Sequence, residues 1–428
     1  MPRARESRKR IWLNPTEIAR SCGLGDHELV THSTLRGIVG IGMLFVGALR
    51  NGGRRWEPDA PAADTVFVLA NPVAHGARLA AAVREALGND VAIVADSRFA
   101  EVVVDAPFPG VSLVSLSAAV QWPLLRAAIS ARRRLPREAK ILGSTGWVYR
   151  QYVFLAQSIR FALATEAVAA MPDGTIMLTD FDRSAYSWPL VSAANDAGLT
   201  TVTMFHGSPN AKNYVPPVAA NAFSWGDTQR QWFAKHSPQT AVSVIGRIDL
   251  EAGMVEEQPL ARVVICHSRE VLSAYEAEQI RVLIAMIKRS GGKASLRLHP
   301  SASSSDLDAR WQSIADLCDD VASGRGSLIE SLSGADLVVS VCSTAVIDAI
   351  AIGVRGLVIA SPERELPADL EVISAVSETI AIALQSEMNV AWAVPEYQQL
   401  SQQIVAAKGP LARKLLRDSI ESVRHPPE

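Results

Sequence analysis

Cysteine is sparse in this chain of 428 residues. The four present, Cys22, Cys266, Cys318 and Cys342, stand far apart, with no CxxC pair among them. Such spacing builds neither a disulfide framework nor a zinc site, and it points to reduced thiols in a cytosolic protein. An excess of either charge is missing too: 42 Lys and Arg oppose 44 Asp and Glu, for a formal net charge of -2. A nearly neutral chain has no global attraction for a polyanion, so nucleic acid is not the expected partner and any anion contact has to be local. The apolar stretch "GIVGIGMLFVGAL", residues 37–49 between Arg36 and Arg50, falls well short of the ~20 residues a membrane span requires. No repeat with a period of roughly 20 to 50 residues is present, which excludes a solenoid.

What the chain has in quantity is hydrophobic residues, 48% against 20% charged. At this length it can bury large cores and exceeds one typical domain, so two globular domains are expected. An extension, residues 1–64, precedes them. It opens with "MPRARESRKR", and its apolar stretch starts only at Gly37 with no convincing small-residue cleavage site after it, so it does not read as a signal peptide. Residues 37–49 read either as a helix buried against the first domain or as an interfacial membrane helix.

From residue 65 a strand–helix rhythm sets in. Strands are predicted at 65–70, 90–96, 110–116, 139–144, 174–180 and 199–207, with helices at 75–87, about 150–170 and 184–197. The rhythm restarts after "DLEAGMVEEQPLAR" (249–262), with strands at 262–268, 294–300, 336–341 and 355–361 and helices at about 271–290, 305–317, 326–333 and 343–352; the tail adds helices at 375–387 and 396–424, broken at Pro395 and Gly409-Pro410. Continuous apolar strands alternating with helices mean parallel sheets covered on both faces. The reading is an α/β chain of two doubly wound Rossmann-like domains, 65–255 and 256–428. In such folds ligands sit beyond the carboxyl ends of the strands.

Several polar residues fall at those ends. "SLRLHP" delivers His299 to a strand terminus, where Pro300, with no N–H to donate, stops the strand. "SVCSTAVIDAIAIGV" (340–354) places Ser343 and Thr344 in the first turn of a helix, where hydroxyls serve as caps or as phosphate donors. His206 closes the strand "LTTVTMF", and an imidazole titrating near pH ~6.5 suits proton removal from a hydroxyl. Asp180 and Asp182 in "DFD" follow another strand and read as helix cap or general base. This DxD lies in the first half, and it does not read as a metal site. Arg247 in "GRID" fits either an interdomain salt bridge or a bidentate phosphate contact. "LLRAAISARRRLPREAK" (124–140) concentrates Arg126, Arg132, Arg133, Arg134, Arg137 and Lys140, a solvated face or a patch for an anionic acceptor or the inner leaflet.

Taken together, "FHGSP" (205–209), "FSWG" (223–226), "VIGRIDL" (244–250), "RLHP" (297–300) and "SVCSTAVIDAIAIGV" resemble, in order and spacing, GT-B glycosyltransferases of bacterial surface polymers. Sialyltransferases and polysialyltransferases, with their His-Pro and paired-serine motifs, are the most similar; CDP-glycerol glycerophosphotransferases of teichoic acid synthesis look alike too. The resemblance covers about residues 65–365. It implies two domains facing a central cleft, an acceptor domain first and a nucleotide-sugar domain second. It implies that His299, Ser343 and Thr344 hold the donor phosphate, and the glycerophosphotransferases carry a His-Gly comparable to His206-Gly207. Joined to the readings of single residues above, the candidate site is His299, Pro300, Ser340, Ser343, Thr344 and Arg247 for the donor, His206, Asp180 or Asp182 as the base, and Arg132, Arg133 and Arg134 for the acceptor. The expected activity is inverting, metal-independent transfer of a sugar such as sialic acid from a nucleotide-activated, possibly CMP-linked, donor, with no further cofactor. The acceptor would be an oligosaccharide or a lipid-linked capsular polysaccharide, and the location cytoplasmic, at most peripheral on the inner membrane face. The alternatives are a sugar-nucleotide 2-epimerase, a CDP-glycerol-type glycerophosphotransferase, and a non-catalytic polysaccharide assembly or export partner.

Overall fold

A computed structural model describes residues 18, 34–52, 63–70, 74–95, 104–108, 113–134, 147–205, 207–251, 261–268, 270–300, 302–324, 327–374 and 394–425. The chain divides into two compact units, one of residues 1–206, 216–222 and 417–428, the other of 207–215 and 223–416.

Two parallel sheets organise it. The first has the order β3-β2-β1-β4-β5-β6-β7, from β1 (Thr65–Val68), β2 (Val91–Ala95), β3 (Ala106–Pro107), β4 (Ile176–Thr179), β5 (Thr200–Met204), β6 (Asn221–Ser224) and β7 (Ala241–Val244). Thr65 pairs with Val91 on one side and Ile176 on the other, both in parallel register. The second sheet has the order β10-β9-β8-β11-β12, from β8 (Arg262–Cys266), β9 (Lys293–Arg297), β10 (Asp320–Ala322), β11 (Leu337–Ser340) and β12 (Arg355–Val358). Here Leu337 pairs with Val263 and Arg355, again in parallel. β1, β2, β4, β11 and β12 are buried along their whole length, as strands covered on both faces must be.

Helix α1 (Thr34–Asn51) packs its glycine side on the first unit. A Cβ at Gly40 would lie 2.5 Å from the Tyr152 ring, and one at Gly37 would lie 2.6 Å from the Tyr149 backbone, so only glycine lets α1 approach the long helix Trp147–Ala169 this closely. Gly47 meets the Ser117 carbonyl on α2 (Leu113–Ala119) in the same way. Asn51 then ties the end of α1 to the Ala118 and Val120 carbonyls at 2.9 and 2.8 Å. Segment 113–119 corrects the strand expected over 110–116. Leu116, Ala119 and Val120 are buried at helical spacing against the small-residue face of α1, and that packing outweighs the local alternation. The strand expected at 139–144 and the helix at 375–387 lie outside the described residues. Helix α3 (Trp122–Arg134), which carries the arginine run, completes this layer.

Two glycines of the recognisable motifs have a packing reason. A Cβ on Gly226 would strike the Gln403 and Ile404 carbonyls, and one on Gly246 (φ 84°) would strike Ala407. The tail runs directly over both turns, with Ala406 N–H donating to Trp225 O at 2.9 Å and Arg247 N–H to Ala407 O at 2.8 Å.

Candidate functional site

In the second sheet β8 is central, and the chain steps from it to β9 on one side and β11 on the other, which makes the carboxyl end between β8 and β11 the switch point where ligands bind. Three strand ends meet there. β8 is followed by His267 and Ser268, β9 by Leu298 and His299, and β11 by Val341, Cys342 and Ser343. The His299 backbone N–H donates to His267 Nδ1 at 3.3 Å, so the Nδ1 of His267 is an acceptor and its ring proton belongs on Nε2. Burial, together with the neighbouring His299, lowers the His267 pKa and favours the neutral ring. Its edge packs on Trp311, ring centroids 4.8 Å apart.

The turn after β11 is internally braced. Ser343 N–H donates to Ser340 Oγ at 2.7 Å, and Ser340 Oγ donates back to Ser343 O at 3.2 Å. Ser340 is therefore a buried turn-former. Ser343 Oγ accepts weakly from Ala345 N–H at 3.3 Å, while Thr344 makes no side-chain cap on the seven-residue helix Ala345–Ala351 that follows. Both stay half-exposed. Burial raises the Cys342 thiol pKa above its ordinary value, which favours the protonated thiol at neutral pH. His299 is half-buried and Pro300 exposed, with Ala302 N–H closing the turn onto His299 O at 2.9 Å.

The "HGSP" turn reaches the same place within this unit: a Cβ on Gly207 would lie 3.8 Å from Thr344 Cγ2. Asp369 N–H donates to Ser208 Oγ at 2.9 Å and Ala368 N–H to Pro209 O at 3.1 Å, which pins the turn. His206 itself lies outside the described residues. Beside these turns a cavity of about 660 Å³ is lined by Asn210, Cys342, Ser361, Glu363, Arg364 and Glu365, among others. Its arginine is held in place: Arg364 Nε and Nη2 donate to the Glu276 carboxylate at 2.5 and 2.7 Å. Against the upward push of burial, these bonds and those from Ser273 and Ser361 hold the Glu276 carboxyl down to about 2.

Three expected site residues are placed differently. Asp180 is 1% exposed and accepts Ala70 N–H at 2.6 Å; Asp182 is fully buried and accepts Val218 and Ala219 N–H at 2.7 and 2.9 Å. Burial raises the Asp182 pKa. Both carboxylates face backbone amides of their own unit, so neither is a solvent-facing base. Arg247 is 5% exposed, paired with Asp249 at 2.9 and 3.1 Å and with Asp348 at 2.6 Å, and its guanidinium lies 4.3 Å from the Trp225 ring centroid. Against burial, which would lower it, the two aspartates hold its pKa above the ordinary value. Its charge is neutralised inside its own unit and does not point at a ligand. Of the arginine run, Arg132 is half-buried and donates to Gln151 Oε1 at 2.6 Å, Arg133 is exposed and Arg134 ends α3.

Sequence reasoning passed over His267, Ser268, Asp369 and the Glu276–Arg364 pair. "CHS" after an apolar strand carries the same signal as "RLHP". Nothing local marks the other three.

No family model and no curated protein matches the chain. Solved structures do. A putative UDP-N-acetylglucosamine 2-epimerase from Listeria monocytogenes aligns over 86% of this chain and 99% of its own, with TM-score 0.50 and 14% identity. A UDP-glucosyltransferase from Polygonum tinctorium aligns over 86% and 100%, with TM-score 0.46 and 12% identity, and a glycosyltransferase from Rickettsia africae over 85% and 99%, with 0.45 and 13%. The fold is GT-B, two parallel-sheet α/β halves. At such identities the likeness speaks for the fold and leaves the reaction to the site.

Proposed function

We propose that the chain is a glycosyltransferase of GT-B fold that takes a sugar from a nucleotide-activated donor and passes it, with inversion, to a hydroxyl of an oligosaccharide or lipid-linked polysaccharide. The observation that carries this reading is the meeting of His267, His299, Ser343 and Thr344 at the carboxyl ends of β8, β9 and β11, beside a cavity of about 660 Å³. Histidine and hydroxyl donors there suit a donor phosphate, and the Glu363 and Glu365 carboxylates suit ribose or sugar hydroxyls. In the step itself the acceptor oxygen attacks the anomeric carbon, the bond from that carbon to the phosphate oxygen breaks, and the nucleotide leaves with the electron pair. His206 takes the acceptor proton, because the buried Asp180 and Asp182 are closed off. In this reading the donor is a CMP-linked sialic acid or a related unit and the product a surface or capsular polysaccharide.

The Listeria neighbour, with its title of UDP-N-acetylglucosamine 2-epimerase, favours a second reading in which the sugar is epimerised on its nucleotide with no acceptor. Incubation of the protein with CMP-, CDP- and UDP-linked donors, with and without oligosaccharide, separates the two. Acceptor-dependent nucleotide release supports transfer. Isomerisation without an acceptor supports epimerisation, transfer of glycerophosphate from a CDP donor moves the chain to the glycerophosphotransferases, and no change in any donor overturns the enzymatic reading.

A further inference from the structure

Helix α1 is apolar on both sides, and among the described residues only one side is covered. Gly37, Gly40, Leu44, Gly47 and Ala48 face the first unit, whereas Leu35, Ile38, Val39, Val46 and Leu49 are 68%, 56%, 49%, 65% and 71% exposed. At 100° per residue these five fall on one outer face, a row about 20 Å long. Solvent-facing aliphatics along one helix face, interrupted there by the exposed Gly42, mark a binding surface rather than ordinary scatter.

The surroundings say what kind. Arg36 and Arg50 stand exposed at the two ends of the row. Trp122, at the start of α3, meets Phe45 of α1 at 6.2 Å between centroids, and Arg126 lies 5.3 Å over the Trp122 ring. Arg133 follows Arg126 two turns later on the same face of α3 and is exposed. The sequences of α1, α2 and α3 contain no Asp or Glu at all, although the whole chain is slightly acidic.

We propose that this face docks on an anionic lipid surface, with the Leu35–Leu49 row entering the boundary between headgroups and acyl chains and the flanking arginines meeting lipid phosphates. Aliphatics below, an aromatic at headgroup level and a rim of cations are the composition of an interfacial helix. A span is excluded on length, since the apolar stretch covers about 20 Å of a ~30 Å core, and no described helix is long and apolar enough to cross. A second copy is disfavoured because an isologous contact through α1 would bring the same arginines face to face. The inference rests on α1 to α3 of the first unit and uses none of the residues assigned to the reaction.

The test is flotation of the full-length protein with phosphatidylcholine vesicles, with and without about 30% phosphatidylglycerol, at low and high salt. Binding is expected on the anionic vesicles and is expected to fall about ten-fold or more on raising the salt, as exposed charges are screened. Val46→Ser with Leu49→Ser should weaken it about ten-fold at unchanged circular dichroism and melting temperature, since neither side chain is in the core. Arg50→Gln with Arg126→Gln should abolish the preference for anionic vesicles. Failure of the folded protein to bind anionic vesicles at low salt overturns the proposal, as does binding that the Val46/Leu49 pair leaves unchanged. A dimer that dissociates on the same pair of substitutions, without vesicle binding, assigns the row to a second copy and overturns it too.

Discussion

Replacing Arg247 by methionine tests whether this arginine is a strut or a ligand. Its partners Asp249 and Asp348 have side chains only 7% and 6% exposed, so the substitution leaves two carboxylates in a low-dielectric interior with no counter-charge. Removing one member of a buried pair costs about 3–5 kcal/mol, and the lost stacking on Trp225 adds about 1 kcal/mol. For a cooperative unit of about 200 residues, each kcal/mol moves the midpoint by roughly 2–4 °C, so the expected drop is on the order of 10 °C. Lysine should fall in between, because one ammonium cannot reach both carboxylates in the bidentate geometry of a guanidinium. Adding Asp249→Asn and Asp348→Asn to the methionine variant should recover much of the loss, since no buried charge then remains. Thermal and urea unfolding by circular dichroism measure the cycle, and calorimetry gives nucleotide affinity on the same samples. An Arg247→Met protein that melts within about 2 °C of the parent but loses nucleotide affinity would refute the reasoning and restore Arg247 to the donor site.

His299→Ala and Ser343→Ala should each weaken nucleotide binding about 10- to 100-fold by calorimetry while the fold persists, because neither side chain is in the core; unchanged affinity in both would remove them from the donor site. Turnover should survive EDTA, a loss that magnesium or manganese reverses being the contrary result, because the carboxylates of Asp180 and Asp182 face backbone amides and those of Asp306 and Asp308 are taken up by Ser303 and by the Arg310 and Trp311 N–H groups. Burial pushes the Asp369 carboxyl up to about 6, against hydrogen bonds with Gln229 and Ser208 and the charge of Arg247. Between the unfolded value near 4 and this one, the folded state holds a proton that the unfolded state has released, so stability declines as pH rises through that window, by up to about 3 kcal/mol. Asp369→Asn should flatten that slope in urea titrations at pH values between about 4 and 7; an identical slope in the variant would contradict the assignment. Gly246→Ala should destabilise by about 2 kcal/mol or more, since the position has φ 84° and a Cβ would strike the Ala407 carbonyl; a neutral result in thermal unfolding would show that the tail yields.

The buried strands were legible because most are apolar runs between polar turns: β1, β2, β4, β5, β8, β11 and β12 fall inside predicted segments, and β9 begins one residue before its own. β3, β6, β7 and β10 were not, being two to four residues of weak pattern at the sheet's outer positions. Of the site, His299, Ser343 and Thr344 could be found because a strand end followed by a histidine or hydroxyl is a local signal. His267 carried the same signal and was passed over. The roles of Asp180, Asp182 and Arg247 stayed open in the sequence, which offered a salt bridge or a phosphate contact for Arg247 and a cap or a base for the aspartates, since a carboxylate facing a buried amide and one facing a substrate look alike in one dimension.

By itself the sequence determined the alternation of strands and helices, the two α/β halves and the strand ends from which a site is built, because hydrophobic period and turn chemistry depend on neighbours a few residues away. It determined as well that residues 37–49 form an apolar helix too short to span. Tertiary structure alone decided which charges are struts and which face a ligand. Asp180 finds its amide 110 residues away at Ala70, Arg247 its carboxylate 101 residues away at Asp348, and Asp369 its side-chain amide 140 residues away at Gln229. It also decided that α1 buries its glycines and leaves its aliphatics outside, since the face a helix turns inward depends on the surface it packs against, here Tyr149, Tyr152 and Ser117.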